Sequence, residues 1–442
     1  MLTHIKEAAF LWHQHNASTT TVFSDVEFDE VVRAAPLQCM LVLWLISVST
    51  LAVRTMVNDL HDVVIIGAGI MGSCAAFHSA GRKLKTLVLE QYTSGHRKGS
   101  SHGKSRIIRY AHANETYLTL MDEAYDLWED LEASTGMQLI KKCGLIWIAD
   151  AITTKKNSKI LNDHEVDHEV LIGREIQRAY PQIRYNDHWY GLIDREAGII
   201  YADKCLKATQ DEAVKKGAEF KYGEKVLQIK REEDRVTVIT DKGSYNTKNV
   251  VVTAGAWLSK ILPDLDDIIE TQAEQIPTTY WSIERNAELY GADSNCPVVV
   301  IEEDDNVMLM TPPVDHYNQI KFCLNSLSEP VDPDKARRAI FSDPDGYLQY
   351  HISEHFPDID FSKPSTVEGS LYTMTEDSHC AIGRYPSDGR IIVAGGFADA
   401  GFKLAIAVGR MLTDLAQGAE ENTIVPDLFK LDRVKTVSFT SY

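Results

Sequence analysis

The sequence predicts an α/β fold, and three observations predict it. An apolar β-branched run, VVII at 63–66, leads directly into GAGIMG, which carries Gly67, Gly69 and Gly72. A second apolar run, 87–89, ends on Glu90, about twenty residues further on. Two later segments, NVVVTAGAW at 249–257 and RIIVAGGFADAGFKLAIAVGRML at 390–412, repeat the order of strand, glycine turn and helix. Together they describe a Rossmann-type dinucleotide-binding domain built from discontinuous segments. The strand-rich material between them predicts a second domain around a mainly antiparallel sheet.

Each element has a physical reason. A continuous apolar strand at 63–66 suits a sheet covered on both faces. The first glycine allows the tight turn and the second lets the backbone approach a pyrophosphate. The third lets a helix, expected over 73–80, pack on the strand with its N-terminus toward the phosphates. Glu90 can accept hydrogen bonds from ribose hydroxyls and disfavours a 2′-phosphate. After Glu90 the chain does not continue with further βα units. It passes through a Gly/Ser/His/Lys loop, 95–105, into an amphipathic helix at about 117–134, where Leu118, Met121, Tyr125, Trp128 and Leu131 recur at intervals of three to four. A helix is expected at 203–217 and strands near 219–229 and 235–240, with Asp241-Lys242-Gly243 supplying the hairpin turn. In the second domain, strands are expected at 271–284, 297–301, 307–311 and 319–324, then a helix at about 333–350. The helix after the last glycine turn offers its positive end to something anionic, which suits the pyrimidine edge of a flavin.

The expected domains are an N-terminal extension, 1–60; a cofactor domain from 61–140, 196–262 and 366–425; a substrate domain from 141–195 and 263–365; and a C-terminal tail, 426–442. In the extension, 37–53 is an uncharged stretch of marginal length for a membrane span. It reads either as an anchor or as material ahead of a domain that starts at Met56. The residues before it, including Asp25, Glu27, Asp29 and Glu30, make a poor signal-peptide flank.

The chain has 442 residues, with 44% hydrophobic and 25% charged, so a large core forms and general disorder is excluded. Lys plus Arg number 45 against 64 Asp plus Glu, a net charge of −19. That balance argues against sequence-independent nucleic-acid binding, which depends on neutralising phosphates. The seven cysteines are scattered without a CxxC, which fits a reducing compartment better than a disulfide framework or a zinc site.

The loop GSSHGKSRIIR (99–109), taken with GAGIMG, SLYTMTED (370–377) and GFK (401–403), resembles the sarcosine oxidase/pipecolate oxidase family. The resemblance runs from about 61 to 425. It implies a bound FAD and oxidation of the C–N bond of a secondary amino acid. Hydride equivalents pass to the flavin, an imine leaves, and O2 is reduced to hydrogen peroxide. It implies that Arg109 and Lys403 hold the substrate carboxylate, roles that suit a planar fork and a point charge. It implies that Lys321 activates oxygen, with Arg106 and His102 on the same side, and that Tyr372 lines the pocket. The implied cofactor contacts are Gly67, Gly69, Met71, Gly72, Glu90, Ser101, His102, Val226, Gly255, Ser370, Gly401 and Lys403. No metal is expected. Partners would be a small amino acid and O2, the chain a monomer, and the compartment the peroxisome, although Thr440-Ser441-Tyr442 is not an SKL-type address.

Several departures from the family's pattern matter, among them VMLMTPP at 307–313, less aromatic than the family's stretch facing the substrate. Ser370 stands where a cysteine usually carries the flavin, so the FAD is expected to be non-covalent, because a hydroxyl is too weak a nucleophile for the thioether. Asn325 and Ala400 stand where histidines are often found. Two other readings stay open at this point: an NAD-dependent dehydrogenase, and a flavin-binding scaffold or sensor without turnover. HEVDH at 164–168 matches HExxH but reads as a solvated loop. Gly99–Ser105 has the wrong spacing for a phosphate-binding GxxxxGKS.

Overall fold

Among the described residues of the computed structural model, the first strand begins at His61. The structure describes residues 60–433, apart from 337 and 338. The apolar segment 37–53, both possible starts and the final residues 440–442 lie outside these. Among the described residues no helix is long and apolar enough to cross a membrane.

Val63, Val64 and Ile65 are fully buried, as a doubly covered strand requires. Their strand, His61–Ile66, pairs in parallel with Thr86–Glu90 on one side and Ser244–Val252 on the other. Glu219–Tyr222 adds a further parallel strand beyond Thr86–Glu90. The long strand Ser244–Val252 serves two further partners. Its start pairs antiparallel with Val236–Thr240, which forms a hairpin with Val226–Arg231. Its end runs parallel to Ile391–Gly395. The resulting eight-stranded sheet therefore gathers strands from distant parts of the chain.

The helix Ile70–Gly81 packs between Ala202–Lys215 and Gly401–Ala416. Small residues make the approach possible. A Cβ on Gly409 would lie 2.6 Å from the Cβ of Cys74, closer than packed atoms allow. The amphipathic helix is Glu115–Thr135, started by the Asn114 side chain, which accepts from the Thr116 N–H, and ended by left-handed Gly136. It buries the apolar stripe expected from its spacing.

The second sheet has nine strands. It is antiparallel except where Val298–Glu303 runs parallel to Leu145–Ala149. Its axis is the long strand Thr271–Ser282, paired antiparallel with Gln319–Leu324 and with Thr366–Thr375. The register places Lys321 opposite Tyr280, Cys323 opposite Thr278, Glu368 opposite Thr278, Ser370 opposite Ile276 and Tyr372 opposite Glu274. Because side chains alternate with period two, Lys321, Cys323, Tyr280, Thr278, Glu368, Ser370 and Tyr372 all share one face.

Two expectations are corrected. The helix predicted over 333–350 is only Tyr347–His355. Pro344 and left-handed Gly346 stop it from starting earlier, and Asp332 and Asp334 instead turn to Lys260. A three-stranded sheet, Ser105–Ile108 with Gly198–Tyr201 and Ile140–Lys141, was not foreseen. The described part of the C-terminal segment is packed: Phe429 and Leu431 are buried, and Arg433 forms a bidentate pair with buried Asp377.

Candidate active site

Two cavities adjoin and share His102, Gly103 and Glu368 in their linings. The larger, about 1000 Å³, is lined by Gly67, Gly69, Met71, Glu90, Ser101, His102, Val226 and Gly255 among others. Gly67 adopts φ 101°, and a Cβ there would sit 2.6 Å from the Thr253 carbonyl oxygen. Gly72 and Gly401 lie outside both linings. Gly72 acts from beneath the loop: its Cβ would fall 1.9 Å from the Gly67 oxygen. Gly72→Ala is therefore expected to push the loop out of place and yield protein without bound nucleotide, measured as loss of the flavin spectrum after gel filtration. Gly401 is a close-packing position, its Cβ site 2.7 Å from the Phe397 Cβ.

Glu90 is buried, and its carboxylate accepts from the Ala68 N–H at 3.0 Å and the Tyr92 N–H at 2.9 Å. It therefore shapes the glycine loop and keeps lone pairs for a ribose. Ser101 Oγ accepts from Ile70 N–H, the first helical residue, at 3.0 Å. A nucleotide-shaped cavity, a loop with no room for side chains and an acidic residue at the strand end fit FAD.

Arg106 lines the smaller cavity, and three of its five donors go to the loop. They reach the carbonyl oxygens of Ser105 (2.7 Å), Ser100 (2.6 Å) and His102 (2.7 Å). It is a staple for residues 99–105. His102 Nδ1 lies 2.6 Å from the Gly99 oxygen, and burial pushes its pKa down, so it is the neutral imidazole that lines both cavities near neutral pH.

Lys321 is largely covered, its side chain 12% exposed, and packs against Ser105 and Asp315. Its Nζ donates to the Ser105 carbonyl at 3.1 Å and to Asp315 Oδ2 at 3.0 Å. Asp315 also accepts from the Lys104 N–H at 2.7 Å and from the Ser105 hydroxyl. Burial opposes ionisation of Asp315, but the Lys321 charge and these hydrogen bonds outweigh it and hold the carboxyl at about 2. Burial lowers Lys321, and Asp315 resists that.

Arg109 follows the strand Ser105–Ile108 and is 3% exposed. The turn after it is fixed by buried Asp194, which accepts from the N–H groups of Tyr110 and Ala111. The guanidinium sits 4.9 Å from the Trp147 ring centroid. One terminal nitrogen lies 3.3 Å from Asp399 Oδ2, and the other is buried with no partner among the described residues. Lys403 stands in the first turn of Gly401–Ala416, 2% exposed. Burial, reinforced by Arg109, lowers its ammonium to about 8 against the pull of Asp399. Arg109, Lys403, Ser370, Tyr372 and Lys321 all line the smaller cavity, about 70 Å³. Thr311 lines it too, with its buried hydroxyl unpartnered among the described residues. The arrangement presents two cations, one with free donors, to a carboxylate-sized ligand.

The sequence reading missed Asp315, Asp399, Thr311 and Glu368. Asp399 lies in the same ADAGFK segment as Lys403. Asn325 is structural: its side chain accepts from Val307 N–H and Ser326 N–H and donates to the Asp305 carbonyl. In the HEVDH segment, His164 ends a helix and faces Asp122, whereas His168 begins a strand and faces Ser158. The two histidines do not share a helix face.

A family described as FAD dependent oxidoreductase matches residues 62–415. A Caenorhabditis elegans protein with a provisional sarcosine oxidase name is 36% identical over 385 residues, covering 85% of this chain and 98% of that protein. A human peroxisomal sarcosine oxidase is 33% identical, covering 81% and 93%. Among solved structures, NikD, an unusual amino acid oxidase of nikkomycin biosynthesis, superposes with a TM-score of 0.71 at 21% identity over 83% of this chain and 97% of that one. L-proline dehydrogenase from P. horikoshii gives 0.71 at 20% over 85% and 97%. With a glycine cradle for the nucleotide and a buried cationic cavity beside it, the chain belongs to the FAD-dependent oxidoreductases, in their sarcosine-oxidase-like family of amino acid oxidases.

Proposed function

We propose that this protein oxidises a small secondary-amine amino acid, of the sarcosine or pipecolate type, and passes the electrons to O2 to give hydrogen peroxide. The observation that carries the reading is the buried, half-unpartnered guanidinium of Arg109 beside Lys403, in a cavity that adjoins the nucleotide site. Bound FAD supplies the two-electron acceptor for the C–N bond. The protein's own part is to hold, orient and exclude water. Arg109 and Lys403 grip the carboxylate and set the substrate's α-carbon in the cavity. Trp147 and the surrounding apolar core keep the guanidinium desolvated, which strengthens the grip. Lys321, held cationic by Asp315, faces the same space and offers a fixed positive charge to oxygen as it is reduced. A peroxide assay over a panel of N-alkyl amino acids tests the reading. Turnover with N-methyl or cyclic secondary amino acids supports it, and none with bound FAD would favour a scaffold.

The FAD is held without a covalent bond. Ser370 lines the smaller cavity where a thiolate would be needed. Cys380 is fully buried in a core cluster and absent from both linings. Cys323 reaches the smaller cavity, but burial raises its thiol and so disfavours the thiolate. Acid precipitation is expected to leave the yellow colour in the supernatant. The protein works as a monomer in the peroxisome, the compartment named for its human relative; sedimentation and imaging of the full chain check these two statements.

The pH dependence follows from Lys403. Below about 8 its ammonium is charged and helps bind the carboxylate; above that it is neutral and the help is lost. The Kd of a simple carboxylate such as propionate is expected to rise as pH passes through about 8. Lys403→Met should weaken binding at pH 7 and remove that step from the profile.

A further inference from the structure

The cavity that holds Arg109 and Lys403 also holds an acid that the reading above leaves without a task. Asp399 lines it, with its side chain 27% exposed. A carboxylate serving as the counter-ion of a buried arginine frequently uses both oxygens on two of its nitrogens. Asp399 instead makes one contact, at 3.3 Å, to one nitrogen. Among the described residues, the other terminal nitrogen of Arg109 and the hydroxyl of Thr311, two residues that line this cavity, are buried and have no partner.

The backbone is built to aim this acid. Ala398, immediately before it, adopts φ 46°, a left-handed conformation that costs a non-glycine residue energy. The strained turn is pinned at both ends: Ala398 N–H donates to the Thr373 carbonyl at 3.2 Å, and Ala400 N–H to the Phe397 carbonyl at 2.9 Å. With this backbone Asp399 lines the cavity instead of joining the core.

A ligand carboxylate on the free nitrogen of Arg109 would become the second anion on one guanidinium. Lys403 offsets part of the repulsion, but Asp399 and the incoming carboxylate still face each other across one guanidinium, and a further cation between them lowers that cost. In an α-amino acid the ligand's own nitrogen is two bonds from its carboxylate and fills that position.

We propose that Asp399 is a specificity-determining residue: it recognises the cationic nitrogen of a ligand whose carboxylate is held by Arg109 and Lys403, and it disfavours carboxylates that lack that nitrogen. The substrate class is then a monocarboxylic amino acid bound as a zwitterion. This inference rests on the carboxylate-binding reading of Arg109.

Glycine and propionate test it, because they match in size and differ in the charged nitrogen. Each is titrated into the FAD-loaded enzyme under nitrogen, and binding is followed by the perturbed flavin absorbance. The wild-type protein is expected to prefer glycine. Asp399→Asn should shrink the glycine-to-propionate affinity ratio about tenfold, the size expected of one nearby partly screened charge. Asp399→Ser provides a second variant of the same sign should the first fail to hold FAD. A ratio that moves less than twofold, with both ligands weakening together, would overturn the proposal and leave Asp399 as a support for Arg109 alone. Arg109→Lys separates the two readings. Unchanged propionate binding there defeats the carboxylate site itself, whatever Asp399 does.

Discussion

Arg109→Ala is expected to weaken substrate binding by about 10²–10³-fold while FAD stays bound. The guanidinium is buried, stacked on Trp147, and keeps donors free. Removing one partner of a buried, hydrogen-bonded charge pair costs about 3–5 kcal/mol, because the other charge loses its compensation. Here that other charge is the incoming carboxylate, left with Lys403 alone. None of the residues lining the larger cavity hydrogen-bonds to Arg109, so the nucleotide site should remain intact. Stopped-flow reduction as a function of substrate concentration measures the effect. A variant that loses its flavin instead would show that Arg109 supports the cofactor.

Lys321→Met is expected to slow flavin reoxidation by O2 by about 10²–10³-fold and to change the rate of flavin reduction by less than a few-fold. That magnitude is typical of deleting one fixed group that stabilises developing charge in a water-excluded site. The variant also leaves the Asp315 carboxylate without its counter-charge, held only by the Lys104 N–H and the Ser105 hydroxyl. A destabilisation of about 3–5 kcal/mol is therefore expected, and it should be largely relieved in the Lys321→Met, Asp315→Asn double variant. Thermal unfolding of the two proteins separates the stability effect from the oxygen effect. If both half-reactions slow equally, the lysine is not an oxygen-activating group.

The parts legible in the sequence are those set by local spacing. The glycine loop reads clearly because each glycine answers a short-range demand: a positive φ at Gly67, and no space for a Cβ at Gly72 beneath the Gly67 carbonyl. The stripe of Glu115–Thr135 reads clearly because period alone decides which residues are buried. The ion pair between Asp315 and Lys321 was not legible, because it depends on the turn at 312–318 bringing the acid back over its own strand. The face shared by Lys321, Tyr280, Glu368, Ser370 and Tyr372 depends on the register of three strands far apart in the chain. The helix expected over 333–350 failed on local grounds that were visible: Pro344 and Gly346 outweigh the apolar pattern. Arg106 shows the remaining difficulty. Its motif marks it as important, but only the fold shows that three of its donors go to backbone carbonyls rather than to a ligand.

The most direct test of the central claim is the absorption spectrum of the purified protein under nitrogen, before and after adding sarcosine or pipecolate. The account predicts a flavin band near 450 nm that the amino acid bleaches and that air restores, with peroxide released. A folded protein that stays colourless after incubation with FAD, or a yellow one that no secondary amino acid bleaches, would contradict it.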